Sequence, residues 1–201
     1  AESTGLIKAI GDWVIREACR TAATWPEHLT IAVNLSAPQF DKDRIVDVVT
    51  SSLAETGLLP GRLELEITES LLIERPDDVL ATLMRLKELG VSIAMDDFGT
   101  GYSSLSYLLK FPFDKIKIDK SFISAIDHDK AACDVLRTIG SLGKTLGIRI
   151  TAEGVETEEQ VTFLRAIACD QLQGYFFAKP LDSNGVATFL LGHAAQLLKT
   201  A

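Results

Sequence analysis

Residues 63–97, LELEITESLLIERPDDVLATLMRLKELGVSIAMDD, decide the fold. Leu63-Glu-Leu-Glu-Ile-Thr68 alternates apolar and polar side chains and reads as a strand. Pro76-Asp-Asp opens a helix whose apolar residues, Val79, Leu80, Leu83, Leu86 and Leu89, recur at helical spacing, and Gly90 caps its C-terminus. Val91-Ser-Ile-Ala-Met95 is again a strand. Strand, helix and strand in this order imply parallel strands joined by a right-handed crossover.

The same alternation extends outward in both directions. Upstream, Leu6, Ile7, Ile10, Trp13, Val14 and Ala18 predict an opening helix behind a Ser3/Thr4 cap. A strand at Thr30–Asn34 and a helix carrying Ile45, Val46, Val49 and Leu53, closed by Gly57, follow. Downstream, the pattern predicts a short helix over Tyr102–Leu109, a strand over Phe113–Ile118, a helix over Cys133–Leu146 and a strand over Ile148–Ala152. Thr157-x-x-Gln160 is a capping box for a helix carrying Val161, Leu164 and Ile167. Gln171–Phe177 is expected as the last strand and Val186–Leu198 as the last helix. No linker-like or low-complexity stretch interrupts the series, so residues 1–201 are read as one domain.

Strict β–α alternation leaves two α/β architectures, a doubly wound sheet and a (β/α)8 TIM-like barrel. No strand is followed by a glycine-rich nucleotide-binding turn. Asn34, Glu66, Asp96–Asp97, Lys117–Asp119, Glu153 and Gln173 fall at or just past the C-terminal ends of six different strands. A barrel gathers all those ends at one mouth, where barrel active sites lie, and an open sheet would spread them along an edge. The barrel is therefore the expected fold. A complete barrel needs about 250 residues. The expectation is an excised domain whose first one or two strands, roughly 50 residues by that measure, precede Ala1.

Hydrophobic residues make up 47% and charged residues 24%, which excludes a disordered chain, a collagen-like repeat and a disulfide scaffold. The net charge of −8 argues against direct DNA binding through a basic surface. No apolar run reaches the ~20 residues that a membrane-spanning helix needs. Cys19, Cys133 and Cys169 lack C-x-x-C spacing and read as reduced thiols of a cytoplasmic domain. His28, His128 and His193 are equally dispersed and read as solvated side chains.

Glu66, Asp96, Asp97 and Glu153 would repel one another in a barrel mouth, and oxygen-liganded divalent cations are the usual remedy. With Asn34 adding a neutral oxygen, the set suits a hard metal, and adjacent aspartates can serve two ions about 4 Å apart. The competing reading is that each acid caps a helix or pairs with a lysine. Lys115-Ile-Lys-Ile-Asp119 alternates, which puts Lys115, Lys117 and Asp119 on one face. There Lys117 could hold a phosphate or act on a metal-bound water, or else be an edge lysine with a snorkelling stem. The glycines of Asp97-Phe-Gly-Thr-Gly-Tyr-Ser-Ser104 allow close approach to a ligand.

Val33-Asn-Leu-Ser36, Glu64–Glu69, Asp96–Ser104, Lys117-Ile-Asp119, Ala152-Glu-Gly-Val-Glu156 and Gln173-Gly-Tyr175 together resemble the EAL domain of bacterial cyclic-di-GMP phosphodiesterases. The resemblance runs in order through essentially the whole chain. It implies a (β/α)8 barrel that opens cyclic di-GMP to linear pGpG with two Mg²⁺ or Mn²⁺ ions. By the same resemblance Asn34 and Glu66 ligate the first metal, Asp96 bridges the two, and Asp97 and Glu153 hold the second. Lys117 contacts the nucleophilic water, Gln173 lies on the substrate side, and Glu69 steadies the Asp97–Ser104 loop next to a homodimer interface. The family's Glu-Ala-Leu motif is expected upstream of Ala1, and a sensor or GGDEF-type domain on the same parent chain. Without that upstream glutamate, residues 1–201 alone are expected to hydrolyse little. Two other readings stand beside this one: a non-catalytic cyclic-di-GMP receptor, and an enolase-like barrel, in which the lysine pair would precede the metal acids.

Overall fold

The computed structural model describes residues 4–40, 43–74, 76–99, 105–183 and 185–190. It forms one six-stranded parallel sheet whose spatial order follows the chain: β1 (Ile31–Leu35), β2 (Leu63–Thr68), β3 (Ser92–Phe98), β4 (Lys115–Ile118), β5 (Arg149–Ala152) and β6 (Gln171–Leu172). Sequential order of parallel strands is barrel order. A doubly wound sheet reverses direction at a switch point, and none occurs among the described strands.

The helices are α1 (Leu6–Ala23), α2 (Arg44–Thr56), α3 (Glu69–Glu74), α4 (Pro76–Glu88), α5 (Leu105–Lys110), α6 (Lys120–Ser124), α7 (Lys130–Leu146) and α8 (Glu158–Ala166). Side chains alternate across the sheet. Leu63, Leu65, Ile67, Ile93, Met95, Ile116, Ile118 and Ile150 are buried on the face under the helices, with Leu83, Leu86, Leu136 and Leu164 against them. The other face, the inside of the curve, carries Asn34, Glu64, Glu66, Ala94, Asp96, Lys115, Lys117 and Thr151. That split explains why strands of a parallel sheet alternate instead of reading as unbroken apolar runs.

The expected caps hold at three points. Gly57 ends α2 in the left-handed conformation, Gly90 follows α4 with φ 92° and its N–H on Lys87 O, and Thr157 with Gln160 closes the capping box of α8. Gly147 ends α7 in the same left-handed way. Elsewhere the sequence reading needs correction. The N-cap of α1 is Gly5 (φ 72°), beyond the Ser3/Thr4 pair, and Ser3 lies outside the described residues. α7 begins at Lys130 because Asp129 accepts from the Ala131 N–H at 2.8 Å, three residues before the predicted start. The last strand stops at Leu172, far short of Phe177. Gly174 turns the chain there: its carbonyl accepts from the N–H groups of Phe177 and Ala178, and the Phe176 N–H bonds to Val155 O. Turn geometry thus overrides the strand propensity of Tyr175-Phe-Phe177, whose side chains are exposed. The predicted Tyr102–Leu109 helix is described from Leu105, and Val186–Leu198 is helical through Leu190, with the rest outside the described residues. Among the described residues no helix is long and apolar enough to cross a membrane.

Candidate active site

The acidic residues meet at the C-terminal ends of the strands because parallel strands all point one way. β2 supplies Glu66, β3 supplies Asp96 and Asp97, β4 supplies Lys117, and Glu153 follows β5. The Lys117 ammonium reaches all three neighbours: Glu66 Oε2 and Glu153 Oε1 at 2.7 Å and Asp96 Oδ1 at 3.1 Å. Oxygens of Asp96, Asp97 and Glu153 all lie within 4.8 Å of one another. Three carboxylates thus contact one ammonium and Asp97 lies beside two of them, a formal excess of three negative charges for the cluster.

Adjacent residues of a regular strand face opposite ways, so both aspartates could not face one site without a break in the pairing. β3 has that break. It pairs with β4 at Met95↔Ile116 and again at Phe98↔Ile118, so Asp96 and Asp97 together oppose Lys117 alone. This is a β-bulge, a device that re-aims side chains beside active sites. Asp97 takes a left-handed backbone (φ 53°), and its N–H bonds to Asp96 Oδ1 at 3.0 Å. A non-glycine residue held in that region costs about 1 kcal/mol or more, and it persists only where its surroundings fix it.

Burial and neighbours shift the charges. Burial pushes the Glu66 carboxyl above the usual range, and the Lys117 bond offsets this only in part. Burial, then the charges of Asp96 and Asp119, raises Asp97. Burial works against the Lys117 ammonium, but its bonds to Glu153 and Glu66 outweigh that and hold its pKa above the ordinary lysine value. Lys117 is thus firmly charged at neutral pH.

The remaining predicted residues sit around this centre. Asn34 is the register partner of Glu66 on β1 and is exposed. Glu69 is buried in the first turn of α3, one residue beyond β2. Gln173 is exposed and tied to the Glu153 loop by its backbone, its N–H on Ala152 O at 2.9 Å and its carbonyl accepting from Val155 N–H at 3.0 Å. Only Asp96, Asp97 and Glu153 form the tight carboxylate group among the described residues. Glu66 joins them through Lys117, while the Thr100–Ser104 part of the glycine loop lies outside the described residues. The donor set is wholly carboxylate oxygen, which suits a hard divalent cation such as magnesium or manganese.

Sequence reasoning missed two features. Alternation puts Lys115 on the same face as Lys117 but does not identify its partner: Nζ lies 2.7 Å from Glu64 Oε1, one rung below Lys117–Glu66 on the same two strands. The doubled pattern Glu64-x-Glu66 and Lys115-x-Lys117 was the available signal. Asp119 shares the predicted face, yet its carboxylate caps α6 by accepting from Ser121 N–H and Oγ–H.

The family model for the EAL domain matches residues 1–180. The bifunctional diguanylate cyclase/cyclic di-GMP phosphodiesterase MucR of Pseudomonas aeruginosa is 45% identical over 188 residues, 92% of this chain and 27% of that protein. The chain spans about a quarter of the length of the curated relatives it matches. A solved MucR phosphodiesterase in complex with c-di-GMP superposes with a TM-score of 0.88 at 44% identity, covering 92% of this chain and 77% of that one. The manganese/cy-diGMP complex of Klebsiella pneumoniae BlrP1 matches at a TM-score of 0.75 and 28% identity, over 87% of this chain and 44% of that one. With the family model covering most of its length and solved relatives sharing its strand frame, the chain belongs to the EAL domain family.

Proposed function

We propose that this domain hydrolyses cyclic di-GMP to linear pGpG at the mouth built by Glu66, Asp96, Asp97, Lys117 and Glu153. The observation that carries the reading is the carboxylate group of Asp96, Asp97 and Glu153 gathered beside the Lys117 ammonium. The activity printed for MucR and its c-di-GMP complex support the substrate, and the BlrP1 manganese complex supports a divalent metal.

Two divalent ions, Mg²⁺ or Mn²⁺, would be held by Asn34, Glu66 and Asp96 on one side and Asp96, Asp97 and Glu153 on the other. Bound there, they would supply Lewis-acid polarisation of the phosphate and a more acidic water. Against an excess of three negative charges, two dications leave the mouth with one net positive charge, suited to a phosphodiester. Lys117 orients Glu66, Asp96 and Glu153 and donates a hydrogen bond to the attacking water or a phosphate oxygen. Asp97 and Glu153 would accept the water's proton. Gln173, exposed beside the Glu153 loop, faces substrate. Glu69, buried at the start of α3, would steady the Asp97–Ser104 loop.

The exposed Leu105 and Leu109, one turn apart on α5 (54% and 68% accessible), support a homodimer through that face. The length of the relatives and the bifunctional name of MucR support a GGDEF-type or sensor domain on the same parent chain; a cytoplasmic location for this domain belongs to the same proposal. Asp96→Ala in the full-length protein should lower kcat at least a thousandfold while c-di-GMP still binds, measured by product chromatography and calorimetry. Near-normal turnover would remove Asp96 from the bridging role.

A further inference from the structure

Two glycines follow the carboxylates of the site, and both are pressed against the same short helix. Gly99 (φ 97°) stands two residues after Asp97, and a Cβ there would lie 2.6 Å from Phe122 Cε2 and 2.9 Å from Phe122 Cζ. Gly154 (φ 68°) directly follows Glu153, and a Cβ there would lie 2.5 Å from Lys120 Cβ. Lys120 and Phe122 both belong to α6, which Ile123 anchors in the core and Asp119 caps. The helix is thus wedged between the end of β3, which carries Asp97, and the loop carrying Glu153. The strand that leads into it carries Lys117, and the Glu153 N–H bonds to Ile118 O of that strand at 3.2 Å.

The bulge explains why such a wedge is needed. Asp97 holds a left-handed backbone that an L-residue adopts only under constraint. Asp96 Oδ1 fixes its N–H side. On its C-terminal side Phe98 pairs with Ile118 of β4, and the next residue, Gly99, lies so close to the Phe122 ring that a Cβ there would not fit. We infer that Phe122 is a positioning residue for Asp97: through Gly99 it locks the bulge, and through α6 it fixes the spacing of the Asp97 and Glu153 carboxylates for a divalent cation.

The cation in this inference rests on the metal reading above, whereas the lock on the bulge does not. The test compares Phe122→Ala, Phe122→Leu and Val79→Ala, the last a buried core truncation on α4, remote in sequence from the site. Mn²⁺ affinity is read by calorimetry without substrate, and backbone hydrogen exchange is read over residues 93–99 without metal. Phe122→Ala should weaken Mn²⁺ about tenfold and speed exchange of that segment. Phe122→Leu, which keeps part of the apolar contact, should recover affinity to within about threefold of the parent and keeps the test open if the alanine variant does not fold. Val79→Ala should leave both readouts unchanged at comparable loss of melting temperature. In turnover of cyclic di-GMP the Phe122→Ala loss should fall on kcat and spare KM. Unchanged exchange in Phe122→Ala, or an equal effect in Val79→Ala, overturns the positioning role. A parent protein that binds no Mn²⁺ while Phe122→Ala still loosens 93–99 overturns the metal reading and leaves the lock standing.

Discussion

Replacing Lys115 with methionine tests how the barrel interior balances its charge. The Lys115 and Glu64 side chains are 8% and 6% accessible and meet at 2.7 Å across β3, where the small Ala94 leaves them room. Lys115→Met strands the Glu64 carboxylate in the interior, two residues from Glu66 on the same face. Removing one partner of a buried pair costs about 3–5 kcal/mol, whereas replacing both with neutral groups is often close to neutral. A domain's whole stability is about 5–15 kcal/mol, so the single change consumes a large part of it. At about 2–4 °C per kcal/mol for a domain of this size, the melting temperature should fall by roughly 6–20 °C. Glu64→Gln with Lys115→Met should recover most of the loss. Urea unfolding of the four proteins in a double-mutant cycle measures the coupling directly. A Lys115→Met loss below about 1 kcal/mol, or a double variant no more stable than the single one, would refute this account of the pair.

Two further outcomes follow from a buried arginine and a partly buried thiol. Arg62 is buried and donates to four carbonyls, Leu29 O at 2.8 Å, Ala22 O at 2.7 Å, Pro26 O at 3.1 Å and Trp25 O at 3.3 Å, so it ties the end of α1 to the start of β2. Arg62→Ala should cost about 2–4 kcal/mol in urea unfolding, and a stability unchanged within error would show that water replaces the guanidinium. Burial pushes the Cys169 thiol up to about 11. At pH 8 its thiolate fraction is about a thousandth, so iodoacetamide labelling should be slow and rise about tenfold per pH unit toward that value. Fast labelling at pH 8 would contradict the burial.

The sheet was legible because its two faces differ so sharply. Leu63-Glu-Leu-Glu-Ile-Thr68 and Lys115-Ile-Lys-Ile118 alternate only because the inside of the curve is polar, and the strand ends could be matched to one mouth before any contact was known. Pairings across a strand were not legible. Lys115 reaches Glu64 over β3, and a one-dimensional period carries no information about a partner two strands away. The bulge at Asp96–Asp97 was hidden for a related reason. Two adjacent aspartates look alike whether they face opposite sides or one, and only the register with β4 decides. Short helices escaped as well: α3 and α6 are too brief to show a 3.6-residue period, and they start within a residue or two of a strand end. The last strand was overextended because Tyr175-Phe-Phe177 has strand propensity, while the turn is set by Gly174 packing on the Val155 backbone.

Whether the carboxylates around Lys117 hold divalent metal for phosphodiester hydrolysis is tested most directly by incubating the full-length protein with cyclic di-GMP and Mn²⁺ in the absence of GTP, with products separated by chromatography and identified by mass. Linear pGpG should be the product, its formation abolished by a chelator and restored by added Mn²⁺ or Mg²⁺. Cyclic di-GMP that is bound tightly yet recovered intact at saturating metal would contradict hydrolysis and make the domain a receptor.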